Sequence, residues 1–66
     1  MNERLIRTSI ASYEQRLKYE KQRAQIAITN DELTIAAMAV GEACKLKGAI
    51  EELEFLLDSM EVDEQR

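Results

Sequence analysis

Thr29-Asn30-Asp31-Glu32 is the stretch whose reading decides the fold. A Thr or Asn side-chain oxygen there can accept the orphan amide protons of a helix start, and Glu32 follows Thr29 by three as in a capping box. Asp31 and Glu32 also suit the positive end of a helix dipole. On both sides of this stretch apolar residues recur at spacings of four and three, which is the period of a helix, and nowhere do they alternate as in a strand. The chain has no proline and both glycines lie beyond residue 40, so nothing before Thr29 breaks a helix by backbone chemistry. The sequence therefore predicts an all-α protein, with one helix over residues 3–28, a turn at residues 29–30 and a second helix over residues 31–60. A link that short forces antiparallel neighbours. The expectation is one domain, a helical hairpin over residues 1–60, followed by an acidic tail over residues 61–66 that frays.

On the first helix Ile6, Ile10, Tyr13, Leu17, Ala24 and either Ala27 or Ile28 form a seam that is interrupted at Glu20. On the second, Ile35, Ala39, Ala43, Leu46, Ile50, Leu53, Leu57 and Met60 form another. With the turn near residue 30, residues whose numbers sum to about 60 face each other in an antiparallel pair. Leu17 then meets Ala43, Tyr13 meets Leu46, Ile10 meets Ile50 and Ile6 meets Leu53. The same register sets Arg7 beside Glu51 or Glu54 and Arg4 beside Asp58, exposed pairs worth about 0 to 1 kcal/mol each.

A second stripe, Leu33, Ala37, Val40 and Cys44, leaves segment 35–44 apolar nearly all round, and one neighbouring helix cannot cover such a segment. Chains below about 70 to 80 residues rarely build a core worth more than about 3 to 5 kcal/mol without a disulfide, a metal or oligomerisation. Cys44 is the only cysteine and there is no histidine, so an intrachain disulfide is excluded and a zinc site lacks ligands. Oligomerisation remains. Its simplest form is a homodimer of hairpins making a four-helix bundle through Leu33, Ala37, Val40, Gly41, Cys44 and Gly48. Two interior glycines each cost about 1 kcal/mol against alanine in a helix, which close packing of backbones would offset. Cys44, on an apolar stripe, reads as a buried small hydrophobe rather than a reactive thiol.

Charge is unevenly spread. Residues 1–30 hold six basic and three acidic side chains, net +3, and residues 31–66 hold three basic and ten acidic, net −7. The acidic total argues against wrapping duplex nucleic acid, which Lys and Arg bind by displacing counterions. Catalysis needs a positioned acid, base, nucleophile or metal, and the chain offers no histidine, no Ser-His or Cys-His pair and no Gly-rich phosphate loop, so no enzyme and no cofactor are expected. Glu51, Glu54, Asp58 and Glu61 share a face, where a solvated rim is the plainer reading than a divalent cation site. One unpaired cysteine fits a reducing compartment, and Met1 is followed by Asn2, Glu3 and Arg4 rather than by the apolar core of a secretory signal. Residues 33–41, the longest uncharged stretch, fall far short of the roughly 20 apolar residues that span a bilayer. A cytoplasmic protein without a membrane association is expected.

One stripe remains uncommitted. Leu5, Ser12, Arg16, Tyr19, Arg23 and Ile26 run along the outward side of the first helix, with Lys18 and Lys21 nearby. Tyr and Arg are enriched among binding hot spots, and the same pair can stack on a nucleobase or grip a phosphate. The first functional reading is a non-catalytic regulator or inhibitor that oligomerises and binds a partner protein, with Arg16, Tyr19, Arg23, Leu5, Lys18 and Lys21 as its binding residues. So small a chain with its own Met is the economy of phage or mobile-element genomes, and such an origin is expected. The alternative is an RNA or small anionic nucleotide binder, an arrangement similar in architecture alone to plasmid copy-number regulators that are dimers of helical hairpins. A structural or assembly component is a third. Against all three stands the plainer possibility that Tyr19 and Leu5 only pack against a neighbouring protomer.

Overall fold

Asn2 starts the first helix. Its backbone is extended and its Oδ1 accepts the Arg4 amide at 2.8 Å, satisfying one orphan donor of the first turn. In the computed structural model, which describes residues 2–64 and the side chains of residues 2–61, α1 spans Glu3–Thr29 and α2 spans Leu33–Glu64. They pack side by side as a hairpin with extents of 54 × 14 × 14 Å. At about 1.5 Å per residue a helix of α2's length is roughly 48 Å long, so the molecule is one helix long and one pair of helices thick. No helix among the described residues is long and apolar enough to cross a membrane.

The turn lies two residues later than the capping signature implied. The Thr29 hydroxyl does not cap α2; it donates back to the Gln25 carbonyl at 3.0 Å, within the last turn of α1. The reversal is made instead by Asp31, whose φ of 61° is left-handed. The Glu32 amide donates to the Ala27 carbonyl at 2.8 Å and the Asp31 amide to the Ile28 carbonyl at 3.1 Å, the paired bonds of a Schellman ending. Asp tolerates this conformation better than most residues, and that is what closes α1 without a glycine. The Glu32 carbonyl then accepts the Ala36 amide at 3.0 Å, opening α2. At its other end α2 continues through Glu64, four residues past the expected 60, and residues 65–66 of the expected tail lie outside the described residues.

Moving the turn to Asp31 moves the register, so that residues facing one another sum to about 62 rather than about 60. The expected ion pairs change as well. Arg7 meets neither Glu51 nor Glu54; its Nη2 reaches Glu61 Oε1 at 2.7 Å and, with Nε, also holds Glu3 within its own helix. Arg4 makes no ion pair with Asp58 among the described residues. The hydrogen bond to Glu3, with the charge of Glu61 nearby, raises the Arg7 pKa above its ordinary value.

The seam runs Ile6, Ile10, Tyr13, Leu17, Glu20, Ala24 and Ala27 on α1 against Ala36, Ala39, Ala43, Leu46, Ile50, Leu53, Leu57 and Met60 on α2, all buried or half-buried. One assignment changes: Ala36 takes the place expected of Ile35, which is displaced to the edge at 38% exposure. This follows from the later start of α2, which rotates its first turn relative to α1. Of the two residues the α1 seam left open, Ala27 faces inward and Ile28 is exposed. Glu20 does enter the seam; its carboxylate accepts from Arg23 Nη1 at 3.1 Å, which compensates the partial loss of water.

The core therefore differs between the two halves of the rod. Towards the open end it is built from Ile6, Leu46, Ile50 and Leu57, whereas beside the turn the buried positions are Ala24, Ala27, Ala36 and Ala39. Alanine lets two helices approach closely but buries little area. In that half the large apolar residues, Ile26, Ile28, Leu33, Met38 and Val40, lie outside the seam and are exposed.

Candidate partner-binding faces

Each helix carries a row of residues on either side of the seam, again at spacings of four and three, and these rows pair to give the hairpin two broad faces. One face combines Arg4, Arg7, Ala11, Glu14, Lys18, Lys21, Gln25 and Ile28 of α1 with Leu33, Ala37, Val40, Cys44, Lys47, Glu51, Glu54 and Asp58 of α2. The other combines Leu5, Ser9, Ser12, Arg16, Tyr19, Arg23 and Ile26 with Ile35, Met38, Glu42, Lys45, Ala49, Glu52 and Leu56.

The first face holds a groove of about 390 Å³ between the helices, floored by Leu17, Ala24 and Ala43 and rimmed by Ile28, Val40, Cys44, Lys21 and Lys47. It contains Leu33, Ala37, Val40 and Cys44 of the expected oligomer interface. Cys44 is exposed rather than buried, because α1 covers only the neighbouring row through Ala43 and Leu46. Gly41 and Gly48 lie further out on α2, and a Cβ built at either meets nothing within 4 Å. Packing within one chain thus gives no reason for glycine at these positions.

The second face gathers four of the six residues singled out on α1. Arg16 and Tyr19 border one hollow of about 330 Å³ together with Glu42 and Leu46. Tyr19 and Arg23 border another of about 250 Å³ with Ile26 and Ile35. Leu5, 62% exposed, stands at the open end of the same row. The Arg16 guanidinium lies 5.9 Å from the centre of the Tyr13 ring, a cation–π distance that presents it to one side of the face. Arg23 is tied to Glu20 and is half-buried, so it offers less of its charge than Arg16 does. The structure does not bring Lys18 and Lys21 to this face; Lys21 rims the groove on the other side, and Lys18, one turn away, is exposed on the same row.

No family model, curated protein or solved structure matches the chain. What the two faces can do is read from their own chemistry. Among the described residues no three carboxylate or thiol groups are gathered as a metal site requires. Of the acidic rim, Glu61 turns to Arg7, while Glu51, Glu54 and Asp58 have no ion-pair partner within the described chain. Among the described residues no buried side-chain polar atom lacks a hydrogen bond. The sequence reading missed Ile35, Met38 and Leu56 as companions of Tyr19. The row spacing 35, 38, 42, 45, 49, 52, 56 was available, but Ile35 had been placed in the seam and the face could not close around it.

Proposed function

We propose that this chain is a non-catalytic helical regulator or inhibitor that self-assembles and binds a partner protein through the face centred on Tyr19. One observation carries the reading: Leu5, Tyr19, Ile26, Ile35, Met38 and Leu56 remain exposed along one side of the hairpin, interleaved with Arg16 and Arg23. Contiguous exposed apolar surface rimmed by polar groups marks an interaction site, and Tyr, Met and Arg are enriched at such sites. The acidic total charge and the pairing of Arg23 with Glu20 favour a protein over a nucleic acid as the occupant. We place the protein in the cytoplasm on its single thiol, as part of the same proposal.

Tyr19→Glu together with Leu5→Ser changes two exposed side chains and leaves the seam intact. The double variant keeps its helicity and loses a protein that the wild type retains from lysate of its source. Retention of the same protein by the variant refutes the assignment of this face. Retention that is abolished by nuclease, or that falls steeply between low and moderate salt, identifies nucleic acid as the ligand instead.

A further inference from the structure

The opposite face carries an inference about its own occupant. We propose that a second copy of this chain covers the face of Leu33, Val40 and Cys44, with the two turns at the same end and α1 of each copy lying over α2 of the other. This rests on the self-assembly contained in the proposed function and adds which face is used and in which direction.

Area supplies the first argument. The chain exposes 5270 Å², against about 4300 Å² for a compact protein of this mass. The excess, roughly 1000 Å², is close to the roughly 800 Å² that each partner buries in a standard interface. The half beside the turn, with alanines inside and Ile28, Leu33 and Val40 outside, is where that surface is apolar.

Charge supplies the direction. A two-fold axis along the rod brings residues of equal height together, α1 against α2 of the other copy. The rows of this face then meet as Ile28 with Leu33, Gln25 with Ala37, Lys21 with Val40, Lys18 with Cys44, Glu14 with Lys47, Ala11 with Glu51, Arg7 with Glu54 and Arg4 with Asp58. Apolar residues meet each other at the turn end, and the Lys18 and Lys21 stems can lie along apolar neighbours with their ammonium groups in water. Three opposite-charge pairs form on each side, and no like charges face each other. They engage Glu14, Lys47, Glu54 and Asp58, none of which has an ion-pair partner within the described chain. Turning one copy end for end instead lays α2 on α2. Leu33 then meets Asp58, Ala37 meets Glu54 and Val40 meets Glu51, each an apolar group against a carboxylate. The same test applied to the Tyr19 face, with turns together, sets Arg16 against Lys45, a like-charge pair at its centre. Of the two faces, only the Cys44 face is complementary to itself in charge.

The test uses the full chain. Val40 and Leu33 are exposed in the hairpin, so Val40→Lys and Leu33→Asp leave each chain folded. Either weakens the dimer at least about a hundredfold by light scattering and sedimentation, because the new ammonium at position 40 would face Lys21 of the other copy and the new carboxylate at position 33 would be buried unpaired against Ile28. Ile35→Asp and Met38→Asp, on the other face, leave it dimeric. Reversing Glu54 and Asp58 to Lys also weakens it, and reversing Arg4 and Arg7 to Glu in the same chain restores it. For direction, Cys44→Ala with a spin label introduced at Ser59 gives a label-to-label distance below about 25 Å with turns together. The end-for-end arrangement puts the labels roughly 40 Å apart at about 1.5 Å per residue. A dimer with the long distance, or one dissociated by the Ile35 and Met38 variants and not by Val40→Lys or Leu33→Asp, overturns this inference while leaving self-assembly standing. A wild-type chain that stays monomeric at micromolar concentration overturns both the inference and the self-assembly in the proposed function, and leaves partner binding to its own experiment.

Discussion

Leu5 and Ile6 are neighbours in sequence and of equal size, yet they sit in different environments. Ile6 is the one large side chain that is fully buried, at 1% exposure, whereas Leu5 is 62% exposed. Truncating Ile6 to alanine removes three carbons from the seam, worth about 0.8 kcal/mol each, or roughly 2.4 kcal/mol in transfer alone. The cavity adds to this. The site lies one turn from the open end, where the helix termini can close in, so the total should fall in the lower part of the roughly 2 to 5 kcal/mol seen for such truncations. Leu5→Ala removes little buried area and should stay within about 0.5 kcal/mol of the wild type. In a domain of this size each kcal/mol moves the midpoint by about 4 to 8 °C. Thermal unfolding followed by circular dichroism at one fixed protein concentration should therefore place Ile6→Ala roughly 10 to 20 °C below Leu5→Ala. Equal midpoints, or a larger loss for Leu5→Ala, would refute both the seam and the rotation of α1 that it defines.

Further outcomes follow from the turn, the interrupted seam and the glycines. Asp31 holds a φ of 61° without a glycine, so Asp31→Gly should stabilise the hairpin by up to about 1 kcal/mol and Asp31→Val should destabilise it; a Gly variant no more stable than wild type would argue against this turn. Glu20→Leu fills a half-buried seam position and leaves Arg23 able to reach water, so its urea midpoint should rise by the equivalent of about 1 kcal/mol. A fall of that size would mean that the Glu20–Arg23 pair fixes the packing. Because a Cβ at Gly41 or Gly48 meets open space, Gly41→Ala and Gly48→Ala should each stabilise by about 0.5 to 1 kcal/mol through helix propensity. If either weakens self-association instead, a second chain approaches the backbone at that position.

Much of the fold was written in the amino-acid pattern, because helix period, the absence of proline and a short link leave an antiparallel helical pair as the only compact arrangement. The interior residues between Ile6 and Leu57 follow directly from spacings of four and three, since that spacing defines one side of a helix whatever it packs against. The turn was legible only to within two residues. Thr29, Asn30 and Asp31 all carry side chains that can cap a helix start or end one, and which of them does so depends on the backbone each adopts. Only the tertiary structure put Asp31 in the left-handed conformation, and from that followed the register and the exchange of Ile35 for Ala36. It also decided the arrangement that matters for binding. Sequence shows how many apolar rows each helix has, but only the rotation of α2 about its axis settles which row the single neighbouring helix covers. That rotation buries the alanines beside the turn and leaves Leu33, Val40, Ile35 and Met38 outside.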